Sequence, residues 1–318
     1  MDIAAPSPEF ETQLRAWRSS SRDRHPVRPR PIVEALGSRL LRALAPKTPS
    51  CSSLSPPAAL APWSPLTIHT EGSRLSATWF PAQGFPAQGF PARGFPAPAS
   101  HSESSDADGK ARGVVVLAHP WVPGGQAYFF RRSRLKALRQ AGYHALTFDF
   151  PGFGDSERWQ PGFLDRDLSA VLDFVDTLAP DLPKFFWGVS AGGYWGHLSL
   201  SSRSDITAAV FEETPIHLID WSDRVAPQRR WCHVFYRRVL APAYRFLDLR
   251  RHAAHLQVSG ASYISGLDDP GILPAETHEL ARLAKGQSRI VPNANHLDVI
   301  KRAGKDWIQM VLQTFSTQ

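Results

Sequence analysis

The sequence has little cysteine: Cys51 and Cys232 are the two in 318 residues. Two thiols cannot build a disulfide framework or a cysteine-held zinc site, so a reducing compartment, the cytoplasm, is the expectation. No apolar run approaches the roughly 18 residues that a membrane span needs. The opening stretch MDIAAPSPEFETQLRAW lacks the apolar centre and cleavage site of a secretory leader. A recognised nucleic-acid-binding motif is also missing. The net charge of +7 comes largely from arginines in the first 50 residues and in RRWCHVFYRR, so no nucleic-acid partner is expected. Hydrophobic residues, by contrast, make up 42% of the chain, enough for a sizeable core in one large domain or two small ones.

Composition changes along the chain. Residues 1–62 are rich in Pro, Ser and Arg and read as an N-terminal extension with one short helix, PIVEALGSRLLRALA at 31–45. Pro31 suits a first helical turn, and Ile32, Leu36, Leu40 and Leu44 recur at near-helical spacing. That helix packs on the domain in the plain reading. Arg39 and Arg42 beside its apolar face leave a membrane-surface contact as the alternative. Residues 63–318 form the main domain. A strand pair, LTIHTE and SRLSATWF, leads into four copies of a five-residue unit, FPAQGFPAQGFPARGFPAP. The period is too short for a packed solenoid, and a proline in each copy removes a backbone donor. Residues 81–111 therefore read as a flexible insertion.

From residue 112 the pattern becomes regular. Apolar strands RGVVVLAH, YHALTFDF, KFFWGV, ITAAVFE, ASYISG and SRIVP alternate with helical stretches, the last being DVIKRAGKDWIQMVLQTF. Such alternation predicts an α/β fold with a mostly parallel central sheet and helices on both faces. Residues 214–257, rich in Trp, Arg, Tyr and Phe, break the rhythm.

WGVSAGGYWG places Ser190 directly after a buried strand and before a helix, the context of a nucleophile elbow. Gly188 and Gly192 flank it where a side chain would collide with neighbouring backbone, and Gly193 adds room. A serine needs a base. His296, in IVPNANHLDVI, follows the last strand and so lies at the carboxyl edge of the sheet, where sites of such folds gather. His197 lies in the helix after Ser190, which carries it away; His252 and His255 fall in the irregular stretch. The base needs an acid. YISGLDDPG offers Asp269, restrained by Pro270, with Asp268 as the alternative.

The chain resembles the α/β-hydrolase superfamily over about residues 64–318, near its serine esterase, lysophospholipase and aminopeptidase-like branches. Four features carry the resemblance: the elbow, the order Ser–Asp–His, VVVLAHPWVPGG, which resembles an H-G-x-x-G segment, and FDFPGFGDS, which resembles D-x-x-G-x-G-x-S. It implies an α/β-hydrolase fold with a small cap insertion at 214–257. It also implies an oxyanion hole made by backbone N–H groups. The usual H-G is HP here, and Pro120 has no N–H, so the donor shifts to Trp121, partnered by Ala191 after the nucleophile. His119 is then structural, and Asp149, Gly152 and Gly154 shape a turn. In aminopeptidase-like relatives acidic residues near the cap hold a substrate amine. Glu212 and Glu213 match by position alone, and salt bridges to nearby arginines are the alternative. The expected activity is serine hydrolysis of a carboxylic ester in a small-molecule acyl substrate, through an acyl-enzyme and without metal or organic cofactor. A peptidase, thioesterase or acyltransferase would use the same residues. A catalytically silent binding module is the reading from a different class.

Overall fold

The computed structural model describes residues 26–44, 55–85, 111–130, 133–159 and 162–316. Eight strands form one sheet in the order β1-β2-β4-β3-β5-β6-β7-β8. They are β1 (Ser64–His69), β2 (Arg74–Phe80), β3 (Gly113–Ala118), β4 (Tyr143–Phe148), β5 (Lys184–Val189), β6 (Ile206–Glu212), β7 (Gly260–Gly266) and β8 (Gln287–Val291). The first two strands pair antiparallel with each other, and β2 pairs antiparallel with β4; every pairing from β4 to β8 is parallel.

The helices among the described residues are α1 (Pro31–Leu44), α2 (Ala127–Phe130), α3 (Ser133–Gln140), α4 (Asp165–Leu178), α5 (Ala191–Leu200), α6 (Leu218–Val225), α7 (Arg230–Arg238), α8 (Ala241–Phe246), α9 (Arg250–Ala253), α10 (Pro274–Leu283) and α11 (Val299–Ser316). Successive strand residues point to opposite faces, and the core divides accordingly. Val114, Val116 and Phe186 join one cluster with side chains of α4, α5 and α10. Val115, Leu117, Phe185 and Trp187 join the other with side chains of α2, α3 and α11. A central strand such as β3 is therefore apolar throughout and wholly buried.

One element differs from its sequence reading. The last helix breaks at Gly304, whose φ of 55° leaves the helical region at little cost because glycine has no Cβ. At the start of the repeat, residues 81–85 pack on the sheet: the Ala82 N–H donates to His144 Nδ1, and Phe85 meets the His144 ring edge-on. The rest of the insertion read at 81–111, residues 86–110, lies outside the described residues.

Helix α1 lies against the main domain. Arg28, just before it, bonds Glu34 and Asp165. The Gly162 N–H donates to Ser38 Oγ, the Phe163 N–H to Glu34 Oε1, and Tyr236 Oη to the Gly37 carbonyl. Helices α6 to α9 fill the connection between β6 and β7.

Candidate active site

Strand β5 ends at Val189 and helix α5 begins at Ala191, leaving Ser190 alone to make the turn. Its backbone takes φ 51° and ψ −116°, a strained conformation for a residue with a Cβ. The turn closes only because its neighbours are glycines. A Cβ on Gly192 would strike the Ala118 carbonyl, and one on Gly188 would sit 2.5 Å from the Gly193 Cα. The Ser190 N–H donates to the Glu212 carbonyl at 2.7 Å, which ties the elbow to the end of β6.

Two other loops meet it. The segment after β7 and the segment after β8 are joined by backbone bonds from Leu267 N–H to the Val291 carbonyl and from Asp268 N–H to the Ala294 carbonyl. Gly266 permits this approach, since a Cβ there would collide with the Ala294 carbonyl. The loops bring Asp269 and His296 together: Oδ2 accepts from His296 Nδ1 at 2.7 Å. Asp269 Oδ1 accepts from the Gly271 and Ile272 N–H groups, which fixes the buried carboxylate. A carboxylate only accepts, so His296 Nδ1 carries the proton and Nε2 presents a lone pair. That lone pair faces Ser190 Oγ at 3.0 Å. Asp268, next in line, is exposed. Of the set read from sequence, the structure brings Ser190, His296 and Asp269 into one hydrogen-bonded chain and leaves Asp268 outside it.

Other histidines are occupied elsewhere. His197 is buried against Tyr263 Oη at 2.8 Å, and burial depresses it to about 3. His252 bonds Ser201 Oγ and the Phe246 carbonyl. His119 is buried, depressed to about 4 by desolvation, and neutral at pH 7. Its Nδ1–H donates to the Pro120 carbonyl, and its Nε2 accepts the Phe150 N–H.

The Pro120 carbonyl also accepts the Val122 N–H at 2.8 Å. In a trans peptide plane the following N–H points opposite to the carbonyl. Holding that oxygen therefore fixes the direction of the Trp121 N–H. The Ala191 N–H is the first of helix α5 and has no intrahelical acceptor. Asp149 steadies the same loop from the other side: Oδ1 accepts the Gln126 N–H at 2.7 Å and Oδ2 the Gln126 side-chain amide at 2.9 Å. Burial pushes Asp149 up to about 6 despite these donors.

Ser190 and Ala191 stand in the wall of a cleft of about 550 Å³, counting its open mouth. Trp121, Trp159, Trp195, Leu218 and Trp221 give it an apolar lining. Leu41 of helix α1 completes the wall, a contribution that the sequence reading of that helix as plain packing did not anticipate. Glu212 is buried away from this space. It binds Arg134 through both oxygens and accepts the Trp187 indole N–H.

A family model described as serine aminopeptidase, S33, matches residues 109–265, a stretch that contains Ser190 and stops short of Asp269 and His296. The chain has the α/β-hydrolase fold. An esterase of Pyrococcus furiosus is similar in structure, with a TM-score of 0.63 at 18% identity over 84% of this chain and 96% of that one. An acylaminoacyl peptidase of Pyrococcus horikoshii gives a TM-score of 0.58 at 13% identity, over 81% of this chain and 42% of that one. In sequence, a lysophosphatidylserine lipase of Gallus gallus, ABHD12, is 33% identical over 92 residues, 27% of this chain. The chain matches 23% of that relative's length. No described helix is long and apolar enough to cross a membrane.

Proposed function

We propose that the protein is a serine hydrolase that cleaves a carboxylic ester through an acyl-enzyme intermediate. The observation that carries this reading is the chain Ser190 Oγ, His296 Nε2, His296 Nδ1, Asp269 Oδ2, with links of 3.0 and 2.7 Å, set on a strained elbow. His296 takes the hydroxyl proton as Ser190 Oγ attacks the acyl carbon. Asp269 holds the imidazole in the required tautomer and supports the imidazolium. The Trp121 and Ala191 N–H groups receive the oxyanion, each worth about 3 kcal/mol of transition-state stabilisation. His296 returns the proton to the leaving alcohol. It then activates the water that releases the acid and restores Ser190.

The cleft favours an ester with an apolar acyl group over a substrate with a free amine. A free ammonium needs a carboxylate in the wall, and the lining residues are tryptophan, leucine, alanine, proline and serine. Glu212, one of the two acids that could have served, is taken by Arg134.

Hydrolysis of p-nitrophenyl esters from acetyl to palmitoyl, by wild type and Ser190→Ala in parallel, tests the reading. The wild type is expected to turn over, with the variant at least about a thousandfold slower. Equal rates would overturn it.

A further inference from the structure

Glu213 is the most anomalous side chain near the site. It follows β6 directly, with φ at 50°, and is held there by a 2.7 Å bond from its N–H to the Ile264 carbonyl. The side chain is wholly buried, and neither carboxylate oxygen has a hydrogen-bond partner of normal geometry. Its polar surroundings are the Leu297 N–H, Asp269 and His296. One oxygen of Glu213, one of Asp269 and one ring nitrogen of His296 all lie within 4.8 Å of one another. Leu297, next to His296, also takes a left-handed conformation, at φ 64°. Two strained residues thus meet behind the imidazole. Strain and a buried carboxyl without firm partners are both costly, and both cluster at functional sites.

The electrostatics say which form the carboxyl takes. Burial raises it well above the usual carboxylate range, as do the negative charges of Glu212 and Asp269; Arg134 opposes them. Burial and these charges favour the protonated, neutral form of Glu213. A cation does not fit the cluster. Asp269 already spends its oxygens on two backbone N–H groups and His296, and both ring nitrogens of His296 are engaged.

We propose that Glu213 is a second positioning acid of this site, standing beside Asp269 and able to orient His296 when Asp269 cannot. The proposal rests on His296 being the base of the proposed function. With Asp269 ionised, a second full charge beside it is unfavourable, and Glu213 keeps its proton. With Asp269 replaced by a neutral amide, Glu213 releases its proton to solvent and becomes the carboxylate that supports the imidazolium.

A cycle of four proteins tests this: wild type, Glu213→Gln, Asp269→Asn and the double variant. Ester kcat is measured against pH, and a fluorophosphonate probe reports Ser190 reactivity. Glu213→Gln alone is expected to lower kcat severalfold with little change in KM. In the Asp269→Asn background the same change is expected to cost at least tenfold more. Residual activity of Asp269→Asn should rise from neutral to alkaline pH, a rise missing from the double variant. Glu213→Asp in that background, a shorter carboxylate, should restore part of the rise and covers the case in which the glutamine does not fold. Equal residual activity and equal pH profiles with and without Glu213 would overturn the proposal. Failure of the probe to label wild-type Ser190 would instead strike the proposed function itself.

Discussion

At the scale of single residues, the site depends on atoms that are absent as much as on those present. A methyl group on Gly192 would land on the Ala118 carbonyl, which is backbone and cannot turn aside. Gly192→Ala should therefore cost about 3 kcal/mol, the upper end for overpacking, and should slow Ser190 labelling. Thermal unfolding and probe kinetics check both. Asp149 carries a pH signature. Its folded value, about 6, lies above its ordinary 3.8, so the protonated carboxyl favours the fold. That contribution is complete below about pH 4 and is lost as pH rises through about 6. Asp149→Asn should flatten this decline, seen as a smaller loss of urea-unfolding free energy between those limits. An unchanged slope would contradict the assignment. Ser190, His296 and the pair Asp268 and Asp269 were legible in the sequence because each follows a strand end, whereas the sequence leaves open which aspartate meets His296. The position of Glu213 behind His296 was not, since it depends on how two loops distant in sequence pack.

The elements show which regularities survive folding. The strands from β3 to β7 match the apolar runs of the sequence, because a strand buried on both faces leaves no room for polar alternation, while the edge strand β8 also matches its run although most of it is part-exposed. Helix α11 does not run unbroken, and the glycine that breaks it stands inside the stretch that reads as one helix. In the proposed function, the loop after β3 is the element most directly tied to rate. His119 holds the Pro120 carbonyl, and with it the direction of the Trp121 N–H. His119→Ala removes one of the two donors that hold this carbonyl, leaving the Val122 N–H. It should lower kcat by about a hundredfold with little change in KM, as expected when one oxyanion donor loses its aim. Measuring kcat and KM separately tests this, and a change confined to KM would contradict it.

At the scale of the molecule, the N-terminal segment is joined to the hydrolase sheet by charge and by the cleft. Arg28 is about a quarter exposed and pairs with Glu34 and Asp165, both nearly buried. Arg28→Met would leave two buried acids without their cation, at a cost of about 3 kcal/mol, the lower end for a broken buried pair because the arginine is partly solvated. Removing residues 1–44 should add a second effect, a wider preference for acyl chain length, because Leu41 leaves the wall of the cleft. Composition and periodicity gave that segment a helix at the right place but carried no sign of its contacts, which form with residues more than 100 positions away. The central claim is that Ser190 is a nucleophile primed by His296. The most direct measurement is fluorophosphonate labelling of the wild type and His296→Ala at neutral pH, with the modified peptide mapped by mass spectrometry. The account predicts one modification, on Ser190, slowed at least about a hundredfold in the variant. Labelling at a different residue, or none in folded wild type, would contradict it.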